Sequence, residues 1–280
     1  MSLTRFLKIP DVREKFTTTF PLPRYNLVGS MLAPPKTENY ALVGTAFDYL
    51  MRFYLKCINP RAKTQDWIAE YAVELIEDSE LHKKAIDIIT SSKKNYSECM
   101  KAEEISTELI VNSLQLAQLD PVIRVGLIDP NLGVVDERDV ADLNNLLDTA
   151  KRKDFRAKSI CVLNPTFGSA SMLVGGADMD VLLDGSLIDV KTTKFLGMRR
   201  DYFNQLIGYY ILSRIGGIHG VAKANIENLA VYYSRHGVLL KIPVNEAIGK
   251  CDLTSFERWF IERAVEEYSP EEPGGPHVLP

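Results

Sequence analysis

The stretch 174–194, VGGADMDVLLDGSLIDVKTTK, decides the fold. It reads as two short strands joined at Asp184-Gly185. In the first, Asp178, Asp180 and Leu182 point one way and Ala177, Met179 and Val181 the other. In the second, Leu187, Asp189 and Lys191 alternate with Ile188, Val190 and Thr192. An Asp-Gly pair between alternating apolar runs is a strong hairpin signal, because a type I′ turn needs positive φ at both central residues. The register follows: Leu183 faces Ser186, Leu182 faces Leu187, and Val181 faces Ile188. Continued outward, Asp180 faces Asp189 and Asp178 faces Lys191.

Directly opposed Cβ atoms lie about 4.5–5.5 Å apart, and like charges placed there repel. An Asp- and Lys-bearing strand is most often a solvated edge, and Asp-x-Lys recurs by chance. Two facing carboxylates with a lysine two residues on ask for more. A bound divalent cation is the simplest account, since Mg²⁺ is commonly held by one or two carboxylates together with substrate phosphates.

Working outward, 280 residues suffice for a large core, in one domain with an insertion or in two. A hydrophobic content of 46% and a charged content of 25% are ordinary for a globular protein. No apolar run spans a bilayer, and the start MSLTRFLKIPDVREKF has no apolar signal region, so a cytoplasmic location is expected. Cys57, Cys99, Cys161 and Cys251 are scattered, and so are the four histidines, which argues against a zinc or iron–sulfur site. Charge is divided unevenly. Residues 61–150 carry 9 Lys/Arg against 18 Asp/Glu, a net of −9, so within a whole-chain net of −4 the remainder is +5. A basic core suits a polyanion, whose affinity comes mostly from phosphate neutralisation.

In chain order, 10–20 reads as a short helix followed by a Pro-rich irregular stretch. Residues 41–57 form a helix apolar on most sides, with Asp48 its one acidic residue, either on an exposed stripe or aimed at something. Helices are expected from Asp66 through Ile76, with Tyr71 and Leu75 in the apolar stripe, over 81–89, over 102–119 and over 136–154. This acidic helical section is structural in the first instance and a protein-partner surface in the second. Lys151, Arg152, Lys153, Arg156 and Lys158 then form a basic run: a solvated helix end, or a place for a phosphate backbone. Ser159–Leu163 is a strand closed by Asn164-Pro165, and a loop through 167–169 leads into the hairpin. After it come a helix at 199–214, strands at 226–234 and 238–243, and an amphipathic helix at 253–268. On the 199–214 helix, Gln205 and Tyr209 share one face. The tail 269–280 is Pro/Gly-rich and expected to be mobile.

The order helix, helical insertion, strand, carboxylate hairpin, helix, two strands, helix is an α/β core with a mixed sheet. With GADMD, LIDVK and QLIGY assembled, the chain resembles the PD-(D/E)xK nuclease superfamily, in its RecB-type branch. The match covers the first helix and residues 160–245. It gives Asp180, then Asp189-Val190-Lys191, then Gln205-Leu-Ile-Gly-Tyr209, and Gly44-Thr-Ala-Phe-Asp48 on the early helix. The resemblance implies a restriction-endonuclease-like α/β (α+β) fold. On it, residues 1–60 supply the first core helix, 61–155 a helical insertion, 156–268 the nuclease core, and 269–280 a tail. It also makes Asp48 a contributor to the metal site. Between Asp178 and Asp180, Asp180 is preferred as the ligand because the register sets it against Asp189.

The implied activity is Mg²⁺-dependent hydrolysis of DNA phosphodiesters, with Mn²⁺ substituting and with no iron–sulfur cluster, since the required cysteines are missing. Asp180, Asp189 and the Val190 carbonyl would hold the metal. Lys191 would orient or deprotonate water or contact the phosphate, while Gln205 and Tyr209 offer donors to the phosphate or to Lys191. The candidate nucleic-acid contacts are Lys151, Arg152, Lys153, Arg156, Lys194, Arg199, Arg200 and Tyr202, the last able to stack on a base. The rival reading is a catalytically silent nucleic-acid-binding or assembly subunit of a larger complex. The intact Asp/Asp/Lys set argues against it.

Overall fold

A computed structural model of the chain describes residues 2–268; the tail at 269–280 lies outside the described residues. Five strands form one sheet: β1 (Cys161–Leu163), β2 (Val181–Leu183), β3 (Ser186–Lys191), β4 (Asn228–Tyr233) and β5 (Val238–Pro243), in that spatial order. All neighbours are antiparallel except β3 and β4, which run parallel. A parallel pair needs a crossover, and the helix α9 (Arg200–Gly216) supplies it. The fold is therefore mixed α/β, with a mixed sheet between helices.

Strand alternation sorts the core into two faces. Val162, Leu182, Leu187, Leu229, Val231 and Tyr233 pack on one side with α9 and with three other helices: α1 (Leu3–Phe6), α2 (Pro10–Thr19) and α11 (Leu253–Tyr268). Leu163, Val181, Ile188, Ala230 and Tyr232 face the other side. There they meet α3 (Tyr40–Ile58), α6 (Thr107–Val125) and α7 (Glu137–Lys151). An outer layer continues the second side, where α4 (Ile68–Ala72) and α5 (Ser79–Ala102) close over Tyr49, Phe53 and Leu116. Strand β4, with LAVYY at 229–233, is apolar on both faces because helices cover both.

The hairpin pairs in the expected register, Val181 with Ile188, Leu182 with Leu187 and Leu183 with Ser186. Its turn is not type I′. Asp184 has φ 50°, and Gly185 is not among the residues with positive φ. Contacts on either side of the turn hold it. The Asp184 carboxylate accepts the N–H groups of Lys158, Ser159 and Ile160 and the Ser159 hydroxyl, tying the start of β1 to the hairpin. Those donors hold its carboxyl down at about 2 against the opposing effect of burial. On the other side, a Cβ at Gly185 would lie 3.1 Å from the Asn225 carbonyl, so the position needs glycine for close approach.

Other boundaries differ from expectation for local reasons. The helix expected from Asp66 to Ile76 is only α4 plus a 3₁₀ turn at Val73–Leu75, and Tyr71 and Leu75 are 53% and 57% exposed rather than inward. Helix α5, capped by Asp78, runs through the expected gap to Ala102 and stops where Glu103 turns left-handed at φ 55°. The segment before the hairpin is not a loop. It forms a short helix, α8 (Ser169–Leu173), and β2 begins only at Val181.

One ion pair joins the helical section to the sheet. Arg235, in the 3₁₀ turn between β4 and β5, donates to both oxygens of Asp142 on α7 at 2.8 and 3.1 Å and to the Ala33 carbonyl at 2.9 Å. Both side chains are almost wholly buried. Removing one partner of a buried pair leaves the other charge desolvated and uncompensated. Asp142→Ala is therefore expected to lower the urea-unfolding free energy by about 3–5 kcal/mol. The double variant Asp142→Leu/Arg235→Met should recover most of that loss. A single variant as stable as wild type would contradict the assignment.

Candidate metal centre

The site lies where β3 ends and β2 begins, between α9 on one face of the sheet and α3 on the other. Asp189 and Lys191 follow Leu187 by twos, so they share its face, toward α9. Asp189 is 3% exposed. Lys191 Nζ lies 2.7 Å from its Oδ2, close enough for an ion pair but without hydrogen-bond alignment, so that buried oxygen has no hydrogen-bond partner. Asp180 precedes the first paired residue of β2. Its carboxylate accepts the Val190 N–H at 2.5 Å, and its carbonyl accepts the Asn164 N–H.

These groups feel each other strongly. Burial pushes the Asp180 carboxyl well above its ordinary value, and the neighbouring charges of Asp189 and Asp48 add to the effect. Burial also raises Asp189, with Lys191 opposing. For Lys191, burial works against the ammonium, but Asp189 and Asp180 outweigh it and hold its pKa above the ordinary lysine value. Lys191 is thus a cation at neutral pH.

Helix α9 completes this side. Lys191 Nζ donates to Gln205 Oε1 at 3.0 Å, and Gln205 Nε2 donates to Tyr209 Oη at 2.8 Å. The i, i+4 spacing read from the sequence is what lets the amide bridge the ammonium and the phenol. The Tyr209 ring stacks on Phe167, with centroids 5.7 Å apart. Burial, then Asp189, Asp180 and Asp178, push the phenol far up, so it stays protonated. Lys191 Nζ also sits 5.0 Å from the Tyr202 ring centroid, and the Arg199 guanidinium lies 5.2 Å from the same ring.

Asp48 arrives from α3 on the other face. About a third of its side chain is exposed, and Arg52 Nη2, one turn on, holds it at 2.8 Å. Burial nevertheless raises its carboxyl, Arg52 opposes, and Asp178 raises it further. Arg52 also lies 4.4 Å from the Tyr49 ring centroid and feels the charge of Asp180. Sequence reasoning gave Arg52 no role, although its i, i+4 relation to Asp48 was the available signal. Asp178 does not face Lys191, as the extrapolated register has it. It bridges Thr166 and accepts a hydrogen bond from Asn164 Nδ2 at 3.2 Å. The ladder with β3 ends at Val181, and residues 178–180 bond instead to the segment 164–166, Met179 N–H donating to the Pro165 carbonyl.

The expected nucleic-acid contacts are not brought together. Arg199, Arg200 and Tyr202 line a cavity beside Lys191. Lys194 is held by the Tyr40 hydroxyl at 3.0 Å. Lys151, Arg152, Lys153 and Arg156 are exposed, next to the 158–160 segment that binds Asp184. That is the turn end of the hairpin, about 13 Å of strand from Asp180.

The donor set fits a hard cation in part. Asp180 and Asp189 offer carboxylate oxygens, and Asp189 Oδ2, which faces the Lys191 ammonium at 2.7 Å without a hydrogen bond, is one that a bound cation would share with that ammonium. Asp48 is engaged by Arg52, and among the described residues no three His, Cys, Asp or Glu side chains converge on one point. No family model matches the chain, and neither a curated protein nor a solved structure matches it.

The electrostatics give a pH prediction. A carboxyl raised in the folded state keeps its proton after the unfolded chain has released it. The native state therefore loses stability as pH climbs from the ordinary value of 3.8. Asp180→Asn removes that liability. It should be more stable than wild type at pH 8, by about 1 kcal/mol or more, with the gain vanishing as pH falls toward the ordinary value. Urea unfolding at the two pH values checks this, and a variant less stable at pH 8 would refute it.

Proposed function

We propose that the chain is a divalent-metal-dependent nuclease acting on DNA, with a restriction-endonuclease-like core of the RecB type. One observation carries the reading. The buried Asp189 with the half-buried Asp180 and Lys191 is continued by a Lys191–Gln205–Tyr209 hydrogen-bond chain, joining residues that the motif order had put in one site. Asp180 and Asp189, with the Val190 carbonyl, are the residues that would hold Mg²⁺ or Mn²⁺. A bound cation supplies a water acidified toward neutral pH and neutralises charge on the phosphoryl oxygens.

The chain's own groups take defined parts. With its pKa raised, Lys191 serves as a fixed positive charge for a phosphoryl oxygen rather than as a base. Gln205 fixes the ammonium, and protonated Tyr209 fixes Gln205. Asp48 contributes to the metal only by giving up Arg52, so it is a weaker ligand than Asp189.

Lys191→Ala and Asp189→Ala are each expected to lower kcat for Mg²⁺-dependent cleavage of DNA by about 10²–10³-fold or more while the fold persists. Asp48→Ala should lose less than Asp189→Ala. Wild-type cleavage by Lys191→Ala would end this mechanism, and EDTA-resistant cleavage would end the metal. Independently of activity, saturating Mg²⁺ should raise the melting temperature of wild type but not of Asp180→Asn/Asp189→Asn.

A further inference from the structure

Next to the carboxylates, and sharing Lys191 and Gln205 with them, lies a cavity of about 600 Å³ that extends along the start of α9. One wall is the start of α9. The other is the N-terminal segment, which has no place in the motif pattern. Five cationic side chains line it, Lys8, Arg13, Lys191, Arg199 and Arg200, against the single carboxylate of Asp201. That carboxylate is engaged by Arg199 in two hydrogen bonds of 3.0 Å. On α2 the ion pair is made by Asp11 with Arg263, and Arg13 is left exposed toward the cavity.

Three further features point to an anion. Helix α9 has no side-chain cap at its N-terminus, and its first residues line the cavity, so the free N–H groups and positive dipole end are directed there. Asn204, 3% exposed, also lines it, and Asn204 Oδ1 is buried without a hydrogen-bond partner. The orphaned atom is an acceptor, and the same amide carries two N–H donors that suit an anion. The wall is also rigid. A Cβ at Gly208 would lie 2.9 Å from Leu3 Cδ1, so that glycine lets α1 seat directly on α9. Arg200 donates to the Phe20 carbonyl at 2.7 Å, and Phe20 packs edge-on against Phe256 at 4.7 Å.

We infer that this cavity is a second phosphate subsite, binding a phosphoryl group of the substrate strand other than the one cleaved. The inference rests on the nuclease reading for its substrate class. The phosphoryl group comes from a strand end or from the next backbone position, and both present the same oxygens to the same donors.

The test is fluorescence anisotropy in EDTA, where no metal-dependent cleavage intervenes. The probes are single-stranded DNA oligonucleotides with a 5′-phosphate, with a 3′-phosphate, with neither, and circularised. Lys8→Gln/Arg13→Gln alters exposed side chains, and its melting curve reports folding. Wild type should bind, and the double variant should bind about tenfold more weakly, with a salt slope smaller by about 1.4. Asn204→Asp should weaken binding further. A preference for one phosphorylated end that the double variant abolishes identifies a terminal phosphate. An equal loss on all four probes, the circle included, identifies a backbone phosphate. Wild-type affinity and salt slope in the folded double variant overturn the subsite. That result is separable from failure of the nuclease reading, which shows as absent Mg²⁺-dependent cleavage while the Lys8 and Arg13 dependence of binding persists.

Discussion

The crowding of acidic side chains around Asp180, with little water to solvate them, is the constraint on which this site depends. Asp180, Asp189 and Asp48 are each raised by burial, and Asp180 feels both of the others. A protein interior tolerates such a group only with opposite charge close by. Two cations supply it from opposite faces of the sheet. Lys191 comes from the strand that carries Asp189, and Arg52 comes from the helix that carries Asp48. The Gln205 and Tyr209 chain holds the first cation, and the Tyr49 ring lies beside the second. The surrounding architecture serves to bring β3, α3 and α9 to one point.

What could be read from the sequence was whatever depends on short-range periodicity. The hairpin register, the shared face of Gln205 and Tyr209, and the strands flanking Arg235-His236 follow from alternation and from i, i+4 spacing. What failed depended on leaving that periodicity. The register extrapolated past Val181 put Asp178 on Lys191, but residues 178–180 pair with the segment after β1, and Asp178 goes to Asn164. The basic run at 151–156 is close to β1 in sequence. Yet β1 meets the hairpin antiparallel, so its start lies at the turn end rather than the carboxylate end. The N-terminal segment carries no motif, and its place against α9 rests on long-range packing, such as Leu3 over Gly208, which one-dimensional spacing does not record.

The sheet also divides labour by face. The α9 face carries Asp189, Lys191 and the basic cavity, so acidic and basic side chains meet at its polar end. The α3 face is closed by two layers of helices and presents Asp48 and Arg52 to the site. Acidic charge is concentrated in the section that forms those outer layers, and basic charge in the rest.

The Arg235–Asp142 pair bears on how such a chain can be divided. By sequence, the helical section looks like an insertion that could be excised to leave a working core. Its last helix nonetheless holds the counter-charge for a guanidinium rooted in the sheet, and Leu143, Leu146 and Leu147 of that helix line the same core as Ile188. Excision would strand a charge inside the protein and bare one face of the sheet. The section and the sheet therefore fold as one cooperative unit, and cutting between them would cost both.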